Sequence, residues 1–308
     1  MRPMLRRPYR CTLLVLAVSP LASCYPRQKG ALPMSRRLPK FNLLGSLEVT
    51  AAWLLAILWV LPLLYAFWSA FHPPEYATRF ELFAPLSLEN FRVAWDQSPF
   101  AQYFLNTVAI VTSILAAQFL LCTLAAYAFA RFEFKGKSVA FGLVLLQLMI
   151  MPEVLIVENY VTMSKMSLVD TITGVGLPYM ASAFGIFLLR QTFKTIPKEL
   201  EDAARVEGCS IMQILWKVYV PLARPTYVAY GLVSVSYHWN NFLWPLVITN
   251  SVGTRPLTVG LAIFGAPESG VDWSIITAGT LLAVAPLLIA FLLFQRQFVQ
   301  SFMHAGIK

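Results

Sequence analysis

Long stretches that are nearly free of charge recur along the chain. A bilayer core about 30 Å thick requires about 20 mostly apolar residues in each spanning helix. Six segments meet this length: 49–71, 103–130, 138–157, 171–189, 225–249 and 273–294. The third is interrupted by Pro152 and Glu153. The pattern therefore predicts an all-α polytopic membrane protein with six transmembrane helices.

The composition of the 308-residue chain agrees with this pattern. Hydrophobic residues make up 58% and charged residues 13%, with a mean hydropathy of +0.64. Soluble domains carry about 25% charged residues, so this chain has roughly half the usual charge. A soluble globular enzyme and a disordered or fibrous chain are both excluded.

The formal net charge of +9 is distributed unevenly around the predicted spans. With six spans, both termini lie on one side of the membrane. All but four of the 24 Lys and Arg residues then lie on that side, the exceptions being Arg79, Arg92, Lys165 and Arg255. By the positive-inside rule the termini are cytoplasmic, which predicts a multi-pass membrane protein with both ends inside the cell. The basic excess is a topology signal and does not indicate a nucleic-acid partner.

Side chains for catalysis or metal binding are few and scattered. The four Cys and three His residues show neither a disulfide framework nor metal-ligand spacing, so we expect no catalytic residue and no metal site. The segment Gly136-Lys137-Ser138 resembles the end of a Walker A loop, but Arg131 occupies the position of its first glycine. We therefore expect this chain to bind no ATP by that route and to hold no cofactor.

Residues 1–33 allow three interpretations. Arg6 and Arg7, an apolar stretch and the segment Leu21-Ala22-Ser23-Cys24 resemble a lipoprotein signal. A second interpretation is an uncleaved segment at the membrane interface. The third, which we favour, is an upstream extension or tail that precedes an initiator at Met34.

The predicted cytoplasmic loop 191–224 between the fourth and fifth spans is long for a connection. Thr195 is the expected N-cap of a helix, Pro197 suits its first turn and Gly208 is the expected left-handed stop. Ser210 is the expected cap of a second helix. Its apolar face is formed by Ile211, Ile214, Leu215 and Val218. The loop is therefore predicted to form a helix-turn-helix elbow at the membrane surface, with two exposed alanines.

The elbow resembles the cytoplasmic signature of permease subunits of binding-protein-dependent ABC importers. That signature is Glu-Ala-Ala, three residues, Gly, nine residues and Ile-x-Leu-Pro. Here Asp202-Ala203-Ala204 is followed at the same spacing by Gly208 and by Val218-Tyr219-Val220-Pro221. Asp replaces Glu, and two valines replace Ile and Leu.

The resemblance implies a bacterial inner-membrane location, the fold and the partners. It implies an ABC importer type I permease fold in which the elbow contacts a dimer of ATPase subunits, and these partners hold ATP and Mg. It also implies a second homologous permease and an extracytoplasmic solute-binding protein that delivers a small-molecule solute. The residues expected to couple to the ATPase are Glu199, Glu201, Asp202, Ala203, Ala204, Gly208 and Pro221.

Further segments resemble the carbohydrate branch of that family, including Ser87-Leu88-Glu89-Asn90-Phe91 and Trp244-Pro245-Leu246. This implies a carbohydrate or polyol-type solute. The expected organisation is a basic cytoplasmic tail over 1–47, a first span and periplasmic loop over 48–102, a five-helix core over 103–298 and a cytoplasmic tail over 299–308.

Polar residues inside apolar spans are costly and often face a cavity. Trp239, Asn240 and Asn241 of the fifth span are candidates for lining a solute path, because aromatic rings stack on sugars and amides bind hydroxyls. Pro152 and Glu153 are candidates for a gate. Contact between helices explains the first group equally well, and a water-exposed helix end explains Glu153. The alternative function is a secondary active transporter of a small polar solute, although the sequence shows no internal repeat.

Overall fold

The computed structural model describes residues 43–77, 81, 84–264 and 272–306. Every regular element in these ranges is helical. The segment 1–33, with its three interpretations, lies outside them. The all-α prediction is therefore confirmed for the described part of the chain.

Three helices are long and apolar enough to cross a membrane on their own. They are α1 (Leu43–Ala70), α4 (Phe100–Arg131) and α15 (Trp273–Gly306). They coincide with the first, second and sixth predicted spans. Large apolar side chains cover the outside of α1, as expected for contact with lipid.

Two further spans are formed by bent pairs of helices. Helix α5 (Lys137–Gln147) is followed by a 3-10 turn (Pro152–Leu155) and α6 (Ile156–Lys165), with a bend of 93°. Helix α7 (Ile172–Gly176) and a 3-10 turn (Leu177–Tyr179) meet α8 (Ala183–Thr195) at 47°. Pro152 and Pro178 lie at these breaks, where proline removes a backbone donor and disfavours a helical residue before it.

The predicted fifth span is shorter in the structure than in the sequence pattern. Helix α12 (Arg224–Trp239) has 16 residues and ends at Asn240, and the six-residue helix α13 (Leu243–Ile248) follows it. By length and composition, the described residues hold three spans, or up to five if each bent pair is one. The count of six spans stays a prediction.

The remaining helices are short and join the spanning elements. They are α2 (Pro74–Ala77), α3 (Glu89–Asp96), α9 (Lys198–Val206), α10 (Ile211–Ile214), a π-helical turn (Leu215–Tyr219), α11 (Val220–Leu222) and α14 (Leu257–Phe264).

Helix α4 is the central element of the packing. It contacts α7, α8, α12 and α14, and it contains neither Pro nor Gly. One core cluster surrounds its C-terminal half and includes Tyr127, Phe193 and Tyr219, from α4, α8 and the elbow. A second cluster surrounds its N-terminal half and includes Ile114 and Trp244. The two clusters leave a polar region between them.

One carboxylate joins two loops at the end of the molecule opposite the elbow. Asp170 accepts hydrogen bonds from the backbone N–H groups of Asn250 (2.9 Å) and Ser251 (3.0 Å) and from the hydroxyl of Thr254. These donors, first of all the Thr254 hydroxyl, hold the pKa of the Asp170 carboxyl well below its usual range. The loop before α7 is therefore tied to the loop after α13.

Candidate functional site

The polar region beside α4 borders a cavity of about 390 Å³. Residues of α4, α5, the turn before α6, α8 and α12 form its walls. The polar side chains of its lining include Gln118, Gln147, Asn159, Tyr179, Ser182, Tyr230, Ser234, Tyr237 and His238. The described lining contains no Lys, Arg, Asp or Glu. The described lining is therefore uncharged and combines polar, aromatic and aliphatic side chains.

Gln118 organises one wall of this cavity from near the middle of α4. Its Oε1 accepts hydrogen bonds from the hydroxyls of Tyr230 (2.8 Å) and Ser234 (2.6 Å). Its Nε2 donates to the backbone carbonyl of Tyr179 (2.8 Å) and lies 3.2 Å from Nε2 of His238. One buried amide thus connects α4, α12 and the turn between α7 and α8.

The tautomer of His238 follows from this network. The Gln118 amide nitrogen can only donate, so Nε2 of His238 is the acceptor and the ring proton of a neutral imidazole lies on Nδ1. His238 is 9% exposed, and its Nδ1 has no hydrogen-bond partner within the described ranges. This Nδ1 is itself shielded from solvent, so the network leaves one costly buried polar group unpaired beside the cavity.

Gly185 allows α8 and α12 to approach closely behind the same wall. A Cβ atom at this position would lie 2.6 Å from Cζ and 2.8 Å from the hydroxyl of Tyr230. It would also lie 3.0 Å from Sγ of Cys122. The glycine is therefore required for the present position of the Tyr230 ring, and through it for the bond to Gln118.

The residues predicted for a solute path lie in several places. Pro152 lines the cavity, whereas Glu153 is exposed in the 3-10 turn beside it. The indole of Trp239 donates to the carbonyl of Ala283 (3.0 Å), and Trp239 and Asn240 line a separate groove against α15.

Asn241 follows the end of α12. Its carbonyl accepts the hydroxyl of Thr258 (2.8 Å), and the residue lies beside Tyr179 and His238 in a narrow gap behind the cavity. The structure therefore brings Pro152 and Asn241 close to the cavity, while Trp239 and Asn240 contact the helices behind it.

Sequence reasoning did not select Gln118, Tyr179, Tyr230 or Ser182 as site residues. A signal was present for Gln118, because it is the sole Gln in the predicted second span and an amide in an apolar helix is expensive. The tyrosines gave no comparable signal, since aromatic residues are frequent throughout the spans.

The predicted elbow is present between α8 and α12. Helix α9 ends before Gly208, whose φ of +83° is left-handed, and the N–H of Cys209 bonds to the carbonyl of Ala204 (3.0 Å). Ser210 and Gln213 form a reciprocal capping box at the start of α10. The predicted stop and the predicted second cap are both confirmed.

The first cap was predicted at the wrong residue. Pro197, without a side-chain hydrogen bond, precedes α9, and the Thr195 hydroxyl bonds back to the carbonyl of Thr192 (2.8 Å). Thr195 is the last residue of α8, so its hydroxyl serves that helix.

The expected exposure of both alanines is only half correct. Ala203 is exposed, but Ala204 is 9% exposed and belongs to the core cluster around α4. Residues three apart share a helix face, so Ala204 lies on the same buried side as Glu201. The expected apolar face of the second helix also differs, because Ile211 is 52% exposed while Ile214 and Leu215 are buried.

The other residues predicted to couple to an ATPase differ in orientation. Glu199, Asp202, Gly208 and Pro221 are exposed, together with Ala203. Glu201 is 6% exposed and faces the chain's own core. The exposed set forms the surface that a partner could contact.

The carboxylate of Glu201 is held by three side chains. It accepts hydrogen bonds from the Tyr219 hydroxyl (2.7 Å) and from Nη2 of Arg205 (2.6 Å), and Nε of Arg131 lies 3.7 Å from Oε2. Burial alone would raise the pKa of this carboxyl. The bond from Tyr219, the bond from Arg205 and the charges of both arginines outweigh it, so the pKa is lowered and Glu201 is ionised at neutral pH.

Bent, apolar helices around a cavity are typical of transport proteins of the membrane. The chain belongs to the family of inner membrane components of binding-protein-dependent transport systems, whose sequence pattern it matches over residues 34–304.

Curated relatives of the chain are permease proteins of sugar and polyol-type transport systems. The arabinooligosaccharides permease AraQ of Halalkalibacterium halodurans is 35% identical over 82% of this chain and 93% of its own length. The lactose permease LacG of Rhizobium radiobacter is 38% identical over 64% and 72%. The sn-glycerol-3-phosphate permease UgpE of Yersinia pestis is 33% identical over 67% and 74%.

A solved structure has the same fold. It is a bacterial ABC transporter involved in the import of the acidic polysaccharide alginate. The match has a TM-score of 0.74 at 21% identity and covers 85% of this chain and 100% of that one. At this identity the match supports the fold alone.

Proposed function

We propose that this chain is one of two permease subunits of an ATP-driven importer for an uncharged carbohydrate or polyol. It forms half of the translocation pathway and carries no catalytic residue of its own. Family membership supports the assignment of the chain as an importer permease. The assignment of an uncharged solute rests on the cavity beside Gln118, whose described lining carries no charged side chain.

The proposed topology has six spans with both termini in the cytoplasm. Three spans are single helices, two are the bent pairs, and the remaining one, the predicted fifth span, consists of α12 continued by α13. A broken helix at membrane depth is tolerated where it borders a cavity and its free backbone groups find partners. Trp244 of α13 is fully buried, which supports this continuation inside the bundle.

The cavity favours an uncharged solute. Hydroxyl, amide and imidazole groups exchange hydrogen bonds with sugar hydroxyls, and tyrosine rings offer apolar faces to a pyranose. A phosphate or carboxylate is usually met by Arg or Lys, and the described lining holds neither. This separates the proposal from glycerol-3-phosphate and from an acidic polysaccharide.

The exposed surface of the elbow is the proposed contact with the ATPase. The small side chain of Ala203 allows a partner to approach closely there, and the carboxylates of Glu199 and Asp202 can pair with basic groups of that partner. ATP and Mg would be held by the ATPase dimer, and a second permease and a solute-binding protein would complete the importer.

The proposal is tested with the importer reconstituted in proteoliposomes from this chain and its operon partners. The solute panel is arabinotriose, lactose, glycerol and glycerol-3-phosphate, and ATP-dependent uptake is measured together with thermal stabilisation of the binding protein. We expect uptake of an uncharged sugar or polyol that requires both ATP and the binding protein.

Uptake by this chain alone, driven by a proton or sodium gradient, would establish the secondary-transporter alternative and contradict the proposal. Preferential uptake of glycerol-3-phosphate would contradict the solute assignment while leaving the importer class intact.

A further inference from the structure

The contact between Arg131 and Glu201 connects the elbow to the long central helix. Arg131 is the last residue of α4, and Glu201 lies in the first turn of α9. Their side chains are 6% and 8% exposed. Burying charges costs several kcal/mol per ion unless they are well paired, so this arrangement is held by its partners and not by solvent.

Three parts of the elbow meet at the Arg131 guanidinium. Its Nη2 donates to the carbonyl of Ile196, which precedes α9. Its Nε lies 3.7 Å from Oε2 of Glu201 of α9, an ion pair without a hydrogen bond. Its centre lies 4.9 Å above the ring of Tyr219, in the second half of the elbow. Tyr219 also donates a hydrogen bond to Glu201, so Arg131, Glu201 and Tyr219 each contact the other two.

The same helix reaches the cavity. Arg131 and Gln118 are 13 residues apart on α4, a rise of about 20 Å at 1.5 Å per residue. This segment of α4 has no Pro, Gly or break. Because Gln118 holds Tyr230, Ser234 and the Tyr179 carbonyl, a displacement of the end of α4 would reach the cavity wall directly.

We propose that Arg131 and Glu201 form a joint that makes the elbow and α4 one rigid body, so that α4 carries the motion of the ATPase to the cavity. Both are positioning residues in this role. The inference rests on the proposed function, since it assigns the element through which that function is transmitted.

An ion pair with one exposed partner, at the same end of the molecule, provides the matched control. Lys137 Nζ lies 2.9 Å from Oε1 of Glu133; the Lys137 side chain is 16% exposed, and the Glu133 side chain, which the control replaces, is 88% exposed. Exposed pairs contribute little. Removing this pair changes charge near the elbow without touching the proposed joint.

The first test measures the distance between α9 of the elbow and α4 while the joint is intact. Spin labels are attached at Val206→Cys on α9 and Leu124→Cys on α4, both exposed, after the native cysteines are replaced by alanine. The label distance is then measured in the reconstituted importer without nucleotide and with ATP and vanadate. We expect one unchanged distance, whereas a shift between the two states would overturn the rigid-body proposal.

The second test breaks the joint. Glu201→Gln, Arg131→Gln and the double variant are compared with Glu133→Gln for ATP hydrolysis stimulated by the solute-loaded binding protein. We expect about a 10-fold loss in each joint variant, within the usual range of coupling free energies, and no further loss in the double variant. In the joint variants the label distance should differ between nucleotide states.

Full stimulation in both single variants would also overturn the proposal. A wild-type importer whose ATP hydrolysis does not respond to the binding protein would count against the proposed function instead. The two failures are therefore distinguishable, and the wild-type distance remains informative if a joint variant does not fold.

Discussion

Replacing Gln118 by Met should destabilise the fold and damage the cavity together. Methionine has nearly the volume of glutamine but cannot serve the four groups that Gln118 contacts: the hydroxyls of Tyr230 and Ser234, the Tyr179 carbonyl and His238 Nε2. Tyr230 is 2% exposed and Ser234 is 5% exposed, so bulk solvent does not replace the lost bonds.

The magnitude follows from the number of groups left unpaired. Each buried polar group without a partner costs about 1–3 kcal/mol. Water entering the 390 Å³ cavity can satisfy the groups that border it, which we take to be about half of them. With two groups left unpaired, the expected loss in the free energy of unfolding is therefore about 2–6 kcal/mol.

The assay is equilibrium unfolding of the purified chain in mixed micelles, followed by uptake in proteoliposomes. Gln147→Met is the matched control, because Gln147 lines the same cavity but is exposed and has no side-chain hydrogen bond to the described residues. We expect the control to unfold like the wild type. Equal stability of Gln118→Met and Gln147→Met would refute the organising role of Gln118.

Three further predictions concern other contacts. Gly185→Ala should displace the Tyr230 ring and cost about 1–3 kcal/mol, measured by the same unfolding assay, and an unchanged midpoint would contradict the close approach. Gly208→Val should destabilise the elbow by about 1–2 kcal/mol, because φ is +83° at this position and a β-branched residue is strained there. Protease cleavage between α9 and α10 should therefore increase in the variant. Cleavage at the wild-type rate would contradict this prediction. Because the pKa of Glu201 is lowered on folding, its ionised form stabilises the protein above pH 4.5, and this contribution is lost as the pH falls through the folded pKa. The stability difference between wild type and Glu201→Gln should therefore be full at pH 7 and shrink below pH 4.5, and a pH-independent difference would contradict the ionised state.

Local sequence signals predicted local features well. Continuous apolar stretches located α1, α4 and α15, and turn chemistry located Gly208 and the Ser210 cap. Each of these depends on residues close together in the chain, where helix length, a positive φ or a capping bond decides the outcome.

Features that depend on distant residues were not predictable in the same way. Glu201 is paired with Arg131, which lies 70 residues earlier in the chain, and Ala204 belongs to a core cluster that includes Tyr127 of α4. Pro152 predicted an interruption between α5 and α6, but a local proline signal does not specify the angle of 93°. The cavity wall combines α4, α8 and α12, and no single segment indicated that combination.

The central claim is that the exposed side of the elbow receives the ATPase in the cytoplasm. It is tested most directly by a photo-crosslinking amino acid at position 203, in the importer with all its subunits. The account predicts that the ATPase subunit is captured and that an impermeant thiol reagent added outside intact cells does not label Ala203→Cys. Labelling from outside, or capture of the solute-binding protein in place of the ATPase, would contradict it.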